Sequence, residues 1–178
     1  IAGNASITGG ALVLTPNVLS QLGGFEVRNP NAINNNTIQV DFDLTTVGAK
    51  GADGFSWSYG DDVQLLPSTP TTAEAGSGTK LKIGFDAYTN AGNLNGIYLM
   101  YNCTVASQTP TTTGVLAYSG DVSWCGGVTK HVTVNIDDNG RLTMTLGGTA
   151  IFTNVQLPAG YRSSNKSTWK HEFAARSE

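Results

Sequence analysis

Apolar residues recur at every second position along most of this 178-residue chain, and the three-to-four spacing of an amphipathic helix is almost absent. Ile38, Val40, Phe42 and Leu44 alternate with Gln39, Asp41 and Asp43. Phe55, Trp57 and Tyr59 alternate with serines. Further ladders are Leu81, Ile83, Phe85 and Ala87, then Val132, Val134 and Ile136, and Leu142, Met144 and Leu146. Trp169, His171, Phe173 and Ala175 form a last one. Successive side chains of a strand point to opposite faces, so each ladder asks for one buried face and one wet face. Ala11 to Leu14, Ile97 to Tyr101 and Ala150 to Thr153 are more continuous, as expected of strands covered on both faces.

Turn residues separate the ladders. Asn139-Gly140 between two alternating runs predicts a type I′ hairpin, and Gly9-Gly10, Gly23-Gly24 and Gly147-Gly148 read as similar punctuation. Many short strands with frequent turns indicate an all-β, antiparallel jelly-roll sandwich. Pro67 to Thr79 and Thr104 to Gly114 are Thr-, Ser-, Pro- and Gly-rich and read as long loops, open to O-glycosylation or to forming a binding rim. Neither a repeat nor an interdomain linker interrupts the pattern. Residues 1–178 are therefore read as one domain, long enough for a substantial core.

Charge and cysteine usage narrow the function classes. Charged residues make up 13% of the chain, and its ten Lys and Arg are scattered singly, which argues against a nucleic-acid partner. No apolar run approaches the roughly 20 residues of a membrane-spanning helix, so membrane insertion is not expected. Cys103 and Cys125 are too few for a zinc site without histidine ligands, and His131 and His171 lack ligand-like spacing to them. A disulfide between them would close a loop of about 22 residues and contribute on the order of 3 kcal/mol, with buried thiols as the other reading. Sequons at Asn4, Asn35, Asn102 and Asn165 are candidate glycosylation sites. Together these features place the chain outside the cell, secreted or on its surface. With Ile1 first and no signal segment, it reads as a mature form or an excised domain.

Motifs that suggest chemistry have simpler readings. Asn135 to Gly140 resembles the start of an EF-hand loop, but the twelfth position is Leu146, where a bidentate Glu is required. Gly76-Ser-Gly-Thr-Lys80 lacks the spacing of a phosphate loop and precedes a strand. The four Glu residues stand apart from one another, and no nucleophile motif accompanies a histidine, so no enzyme is expected. His171, alternating with Trp169 and Phe173, reads as a core or sheet-face residue. Asp61-Asp62 reads as a solvated turn. Asp53, Asp86 and Asn90 stand at the ends of two strands, as turn residues or as a small set of hard oxygen acceptors.

Five segments resemble, in order, those of the L-type lectins of the concanavalin A-like superfamily. They are Ile7 to Thr15, Gly51-Ala-Asp-Gly-Phe-Ser-Trp57, Leu81 to Asn90, Gly96-Ile97 and Phe173-Ala-Ala175. The resemblance implies a sugar site in which Asp53 accepts from hydroxyls, Asn90 donates, and a backbone N–H comes from near Gly78. Trp57, Tyr59 or Tyr88 would supply a stacking face. It also implies that Asp86, the Tyr88 carbonyl and Asn90 surround calcium, the one cofactor left open. Gly84 stands where the family has the Glu of its transition-metal site, so no transition metal is expected.

The implied function is non-catalytic, extracellular glycan binding for recognition or adhesion, with glycans or glycoproteins as partners. The alternative is a glycosylated structural subunit of a filament, wall or adhesin, self-associating after loss of metal-dependent binding. The resemblance also implies that the family's domain continues beyond Phe173 to Glu178.

Overall fold

The structure is a computed structural model in which residues 1–29, 31–47, 53–65, 73–89, 94–104 and 109–177 are described. Thirteen strands and one short helix follow in chain order among these residues. They are β1 (Ala2–Gly3), β2 (Ser6–Thr8), β3 (Ala11–Val13), β4 (Gln21–Arg28), β5 (Ile38–Leu44), β6 (Asp53–Gly60) and β7 (Leu81–Asp86). Then come β8 (Gly96–Met100), β9 (Val115–Ser119), β10 (Lys130–Ile136), β11 (Arg141–Leu146), β12 (Thr149–Gln156), α1 (Ala159–Ser163) and β13 (Lys170–Ser177).

Two antiparallel sheets face each other, one of seven strands ordered β1-β4-β13-β6-β7-β8-β9 and one of four ordered β12-β11-β10-β5. The predicted ladders fill the space between them. Phe55, Trp57, Leu81, Ile83 and Phe85 from one sheet meet Val132, Val134, Leu142 and Met144 from the other. Phe42 bridges the sheets edge-on to Phe55 and Phe173. Fully burying a side chain of this size contributes roughly 1.5–3 kcal/mol, so alternation over many strands is enough to choose the sandwich.

Three local expectations are corrected. The Asn139-Gly140 hairpin forms, but with a three-residue loop. Asp137 N–H bonds the Arg141 carbonyl at 3.1 Å, and only Gly140 takes a positive φ, +73°. That is a type I turn closed by a glycine bulge; the mirror-image turn falls instead at Gly147-Gly148, with φ +56° and +81°. Gly23-Gly24 is no turn but mid-strand in β4. A Cβ on Gly23 would lie 1.8 Å from the Leu14 carbonyl oxygen, so glycine is needed there for backbone to pass over backbone. Finally, Ala11 to Val13 is not covered on both faces. It pairs only with β2 in a small hairpin that leaves Ile7 and Leu12 exposed.

The expected disulfide is also absent. Cys103 packs with Tyr98 and Met100 on the outer face of the seven-stranded sheet, whereas Cys125 packs against the core between the sheets. The sheet itself separates the two sulfurs.

Candidate functional site

Three interior strands end together at one end of the seven-stranded sheet. β6 starts at Asp53, β7 finishes at Asp86 and β13 finishes at Ser177. Gly54 pairs with Asp86 on one side and with Arg176 on the other, so both side chains leave the same outer face with no side chain between them. The Asp53 carbonyl accepts the Ala87 N–H at 2.8 Å, which carries the β6–β7 ladder one step past the strand end.

The segment 73–79 lies flat across this outer face as a strap. Ser56 Oγ donates to the Ala73 carbonyl, Ser58 Oγ accepts the Ser77 N–H at 3.1 Å, and Ser77 Oγ donates to Glu172 at 3.1 Å. The serines that alternate with Phe55, Trp57 and Tyr59 are therefore not solvated; they hold the strap. Gly54 and Gly84 leave room for it. A Cβ on Gly84 would stand 2.5 Å from the Glu74 carbonyl oxygen.

Under the strap, Arg176 meets two carboxylates. Its Nε lies 2.6 Å from Asp53 Oδ2, and its Nη2 donates to Glu74 Oε1 at 3.2 Å. Asp86 Oδ1 accepts the Tyr88 N–H at 2.9 Å. Asp53, Glu74, Asp86 and Arg176 are all buried. Burial pushes the Glu74 carboxyl up to about 7 and Asp86 up to about 6; Arg176 partly offsets the shift in each case. Further along the same face Glu172 is raised to about 8 by burial, and Lys82 is lowered, its Nζ bonding the Cys103 carbonyl at 2.6 Å.

Of the residues singled out in the sequence, Asp53, Asp86 and Tyr88 are brought to one place, and Tyr88 is 51% exposed beside the buried acids. Asn90 lies outside the described residues. Trp57 is corrected: it is 1% exposed in the inter-sheet core, with its indole N–H directed to His171 Nδ1 at 3.2 Å, so it offers no face to a sugar. Tyr59 is buried in the same stack. His171 belongs to that core, and burial lowers it to about 4. Gly78 is corrected too. It sits against Asp62, beyond the opposite end of β6 from Asp53. The residue that the strap brings to Asp53 is Glu74. Sequence reasoning missed both Glu74 and Arg176. The available signal was Arg176 at the same strand parity as Lys170 and Glu172, three charges on one face of β13.

A cavity of about 340 Å³ lined by Arg28, Asn29 and Ser167 to Lys170 opens at the other end of β13, away from this cluster.

No protein-family model matches the sequence, and no curated protein matches it. Solved structures do. The chain superposes on the exoplasmic/lumenal domain of VIP36 in its calcium- and mannose-bound form with a TM-score of 0.65 at 21% identity, over 98% of this chain and 74% of that one. It also superposes on the carbohydrate recognition domain of Emp47p with a TM-score of 0.62 at 15% identity, over 99% and 78%. The fold is that of the L-type lectins. Structures of this lectin fold have been solved without metal as well, including VIP36 at a TM-score of 0.66 and 20% identity, over 98% and 75% of the two chains.

The L-type lectin fold raises the question of calcium. Among the described residues no group of three or more acidic, histidine or cysteine side chains is arranged to hold a metal ion. Two of the acids that converge, Asp53 and Glu74, are already bridged by a guanidinium. A dication beside Asp53 would meet the Arg176 charge at a few ångströms, in a medium where like charges repel strongly. Asp53, Glu74 and Arg176 therefore do not fit calcium; Asn90, implied as a ligand with Asp86 and Tyr88, lies outside the described residues. Nor do the converging acids form a hydrolytic pair, because all three carboxyls are covered and none faces an open cleft.

Proposed function

We propose that this chain is a single, non-catalytic glycan-binding domain of a lumenal or extracellular space. The observation that carries the reading is the convergence of Asp53, Asp86 and the exposed ring of Tyr88 at one end of the sheet, in a fold shared with carbohydrate recognition domains. Tyr88 is the stacking residue and Asn90 a polar contact, while the buried Asp53 and Asp86 hold the strand ends beside Tyr88 in position. Mannose-containing glycans are the first ligands to test, because VIP36 has been solved with mannose and a mannose disaccharide. Binding at one such site is weak, and several copies on one surface make it useful. Asn4, Asn35, Asn102 and Asn165 are all exposed, which supports glycosylation and an extracytoplasmic location.

A glycan array with wild type, Tyr88→Ala and Asp53→Ala tests the reading. Wild type should bind, and both variants should lose at least about tenfold, the equivalent of 1.4 kcal/mol. Failure of folded wild type to bind any glycan sinks it. The rival is a self-associating structural subunit, favoured by the exposed Ile1, Ile7, Val18 and Leu19 of the N-terminal segments. Ordered polymers in negative-stain images, with a blank array, would decide for the rival.

A further inference from the structure

Three carboxylates buried within one strand's width of each other need positive charge, and this cluster draws it from the chain itself. Arg176 pairs with Asp53 at 2.6 Å and with Glu74 at 3.2 Å, and Gly54 leaves the gap through which it reaches them. We infer that Arg176 is an internal substitute for a bound dication: its guanidinium ties the start of β6 to the strap, so the glycan site is ordered without calcium. The inference rests on the proposed glycan site for its functional meaning, but its geometry stands apart from any ligand.

Three features make the substitution specific to Arg176. A guanidinium offers donors in a planar fork and can grip two carboxylates at once. Arg176 lies opposite Gly54 in the β13–β6 ladder, the position on β6 with no side chain to block it. Gly84, across from Ser56 on the β6–β7 ladder, is closed over by the Glu74 backbone, so a carboxylate there would have no space.

Thermal unfolding of the full chain in EDTA and in millimolar calcium tests this without any glycan. A dication present at a hundred times its Kd would raise the Tm by about 5–10 °C for a domain of this size. Wild type is expected to show the same Tm in both buffers. Arg176→Gln is expected to gain a rise in Tm with calcium that wild type lacks, an effect that loss of packing alone would not create. Arg176→Lys, which keeps the charge, should stay insensitive. A wild-type Tm that rises with calcium overturns the inference, as does an Arg176→Gln protein that folds and stays flat. Should Arg176→Gln not fold, the wild-type comparison decides alone. A blank glycan array with a calcium-insensitive Tm would defeat the proposed function and leave this inference standing.

Discussion

Arg176 and Asp86 stand on one face of the seven-stranded sheet on either side of Gly54, each paired with that same glycine through a different ladder. With no side chain on the central strand at that point, charges from β13 and β7 and from the strap above share one enclosed space. The strap can lie so close only because Gly84 also lacks a side chain.

Gly84→Ala should therefore destabilise the protein by about 1–3 kcal/mol, the usual cost of forcing a methyl group into filled space. The new Cβ would stand 2.5 Å from a backbone oxygen that cannot rotate away. Urea unfolding measures the loss. An unchanged midpoint would show that the strap is not held against the sheet.

Stability should fall as pH rises above about 6.5. Glu74 at about 7 and Glu172 at about 8 keep protons that the unfolded chain releases near 4.5, so the folded state binds more protons through this range. Asp86, at about 6, acts in the same sense lower down. His171 opposes them only between about 4 and 6.5, where the unfolded chain takes the proton. Glu172 faces Glu26 and Lys82 as well as Ser77, and burial dominates its shift. Glu172→Gln should flatten the decline between about pH 7 and 8.5 in urea midpoints, because linkage from that carboxyl disappears. A wild-type midpoint that climbs over this interval would contradict the assignment.

Reductant should leave the Tm unchanged. Cys103 and Cys125 lie on opposite faces of a sheet, so no cross-link closes the chain between them. Matched melts with and without dithiothreitol give the answer, and a drop of several degrees on reduction would reveal a bridge after all.

Lys166→Met should cost about 3 kcal/mol in the same unfolding assay, within the range for stranding buried acceptors. The ammonium is fully buried and donates to Asn36 Oδ1 at 2.8 Å, to the Ser164 carbonyl at 3.1 Å and to the Tyr161 carbonyl. It also lies over the Tyr161 and Trp169 rings at 4.4 and 5.1 Å. Methionine fills the volume but supplies no donor.

The core strands were legible because burial on one face prints a two-residue period. Ile38 to Leu44, Val132 to Ile136 and Leu142 to Leu146 fall where alternation put them. β4 was not legible, since Gly23-Gly24 carries a turn signature while serving a close backbone crossing. Asp53 and Asp86 could be singled out from motif order. Glu74 could not, because it sits in a polar loop whose path depends on hydrogen bonds from Ser56, Ser58 and Ser77. Ser56 and Ser58 read as a wet face. Alternation tells which side of a strand is apolar, but not what covers the other side.

β13 fills an interior slot of the sheet, between β4 and β6, although it is made after every other strand. Until residue 177 has left the ribosome, the two neighbours it joins remain as unmatched borders, Gln21–Arg28 and Asp53–Gly60. Assembly of this sheet must therefore wait until β13 has emerged, and the waiting borders are where a nascent copy is most exposed to mispairing with another.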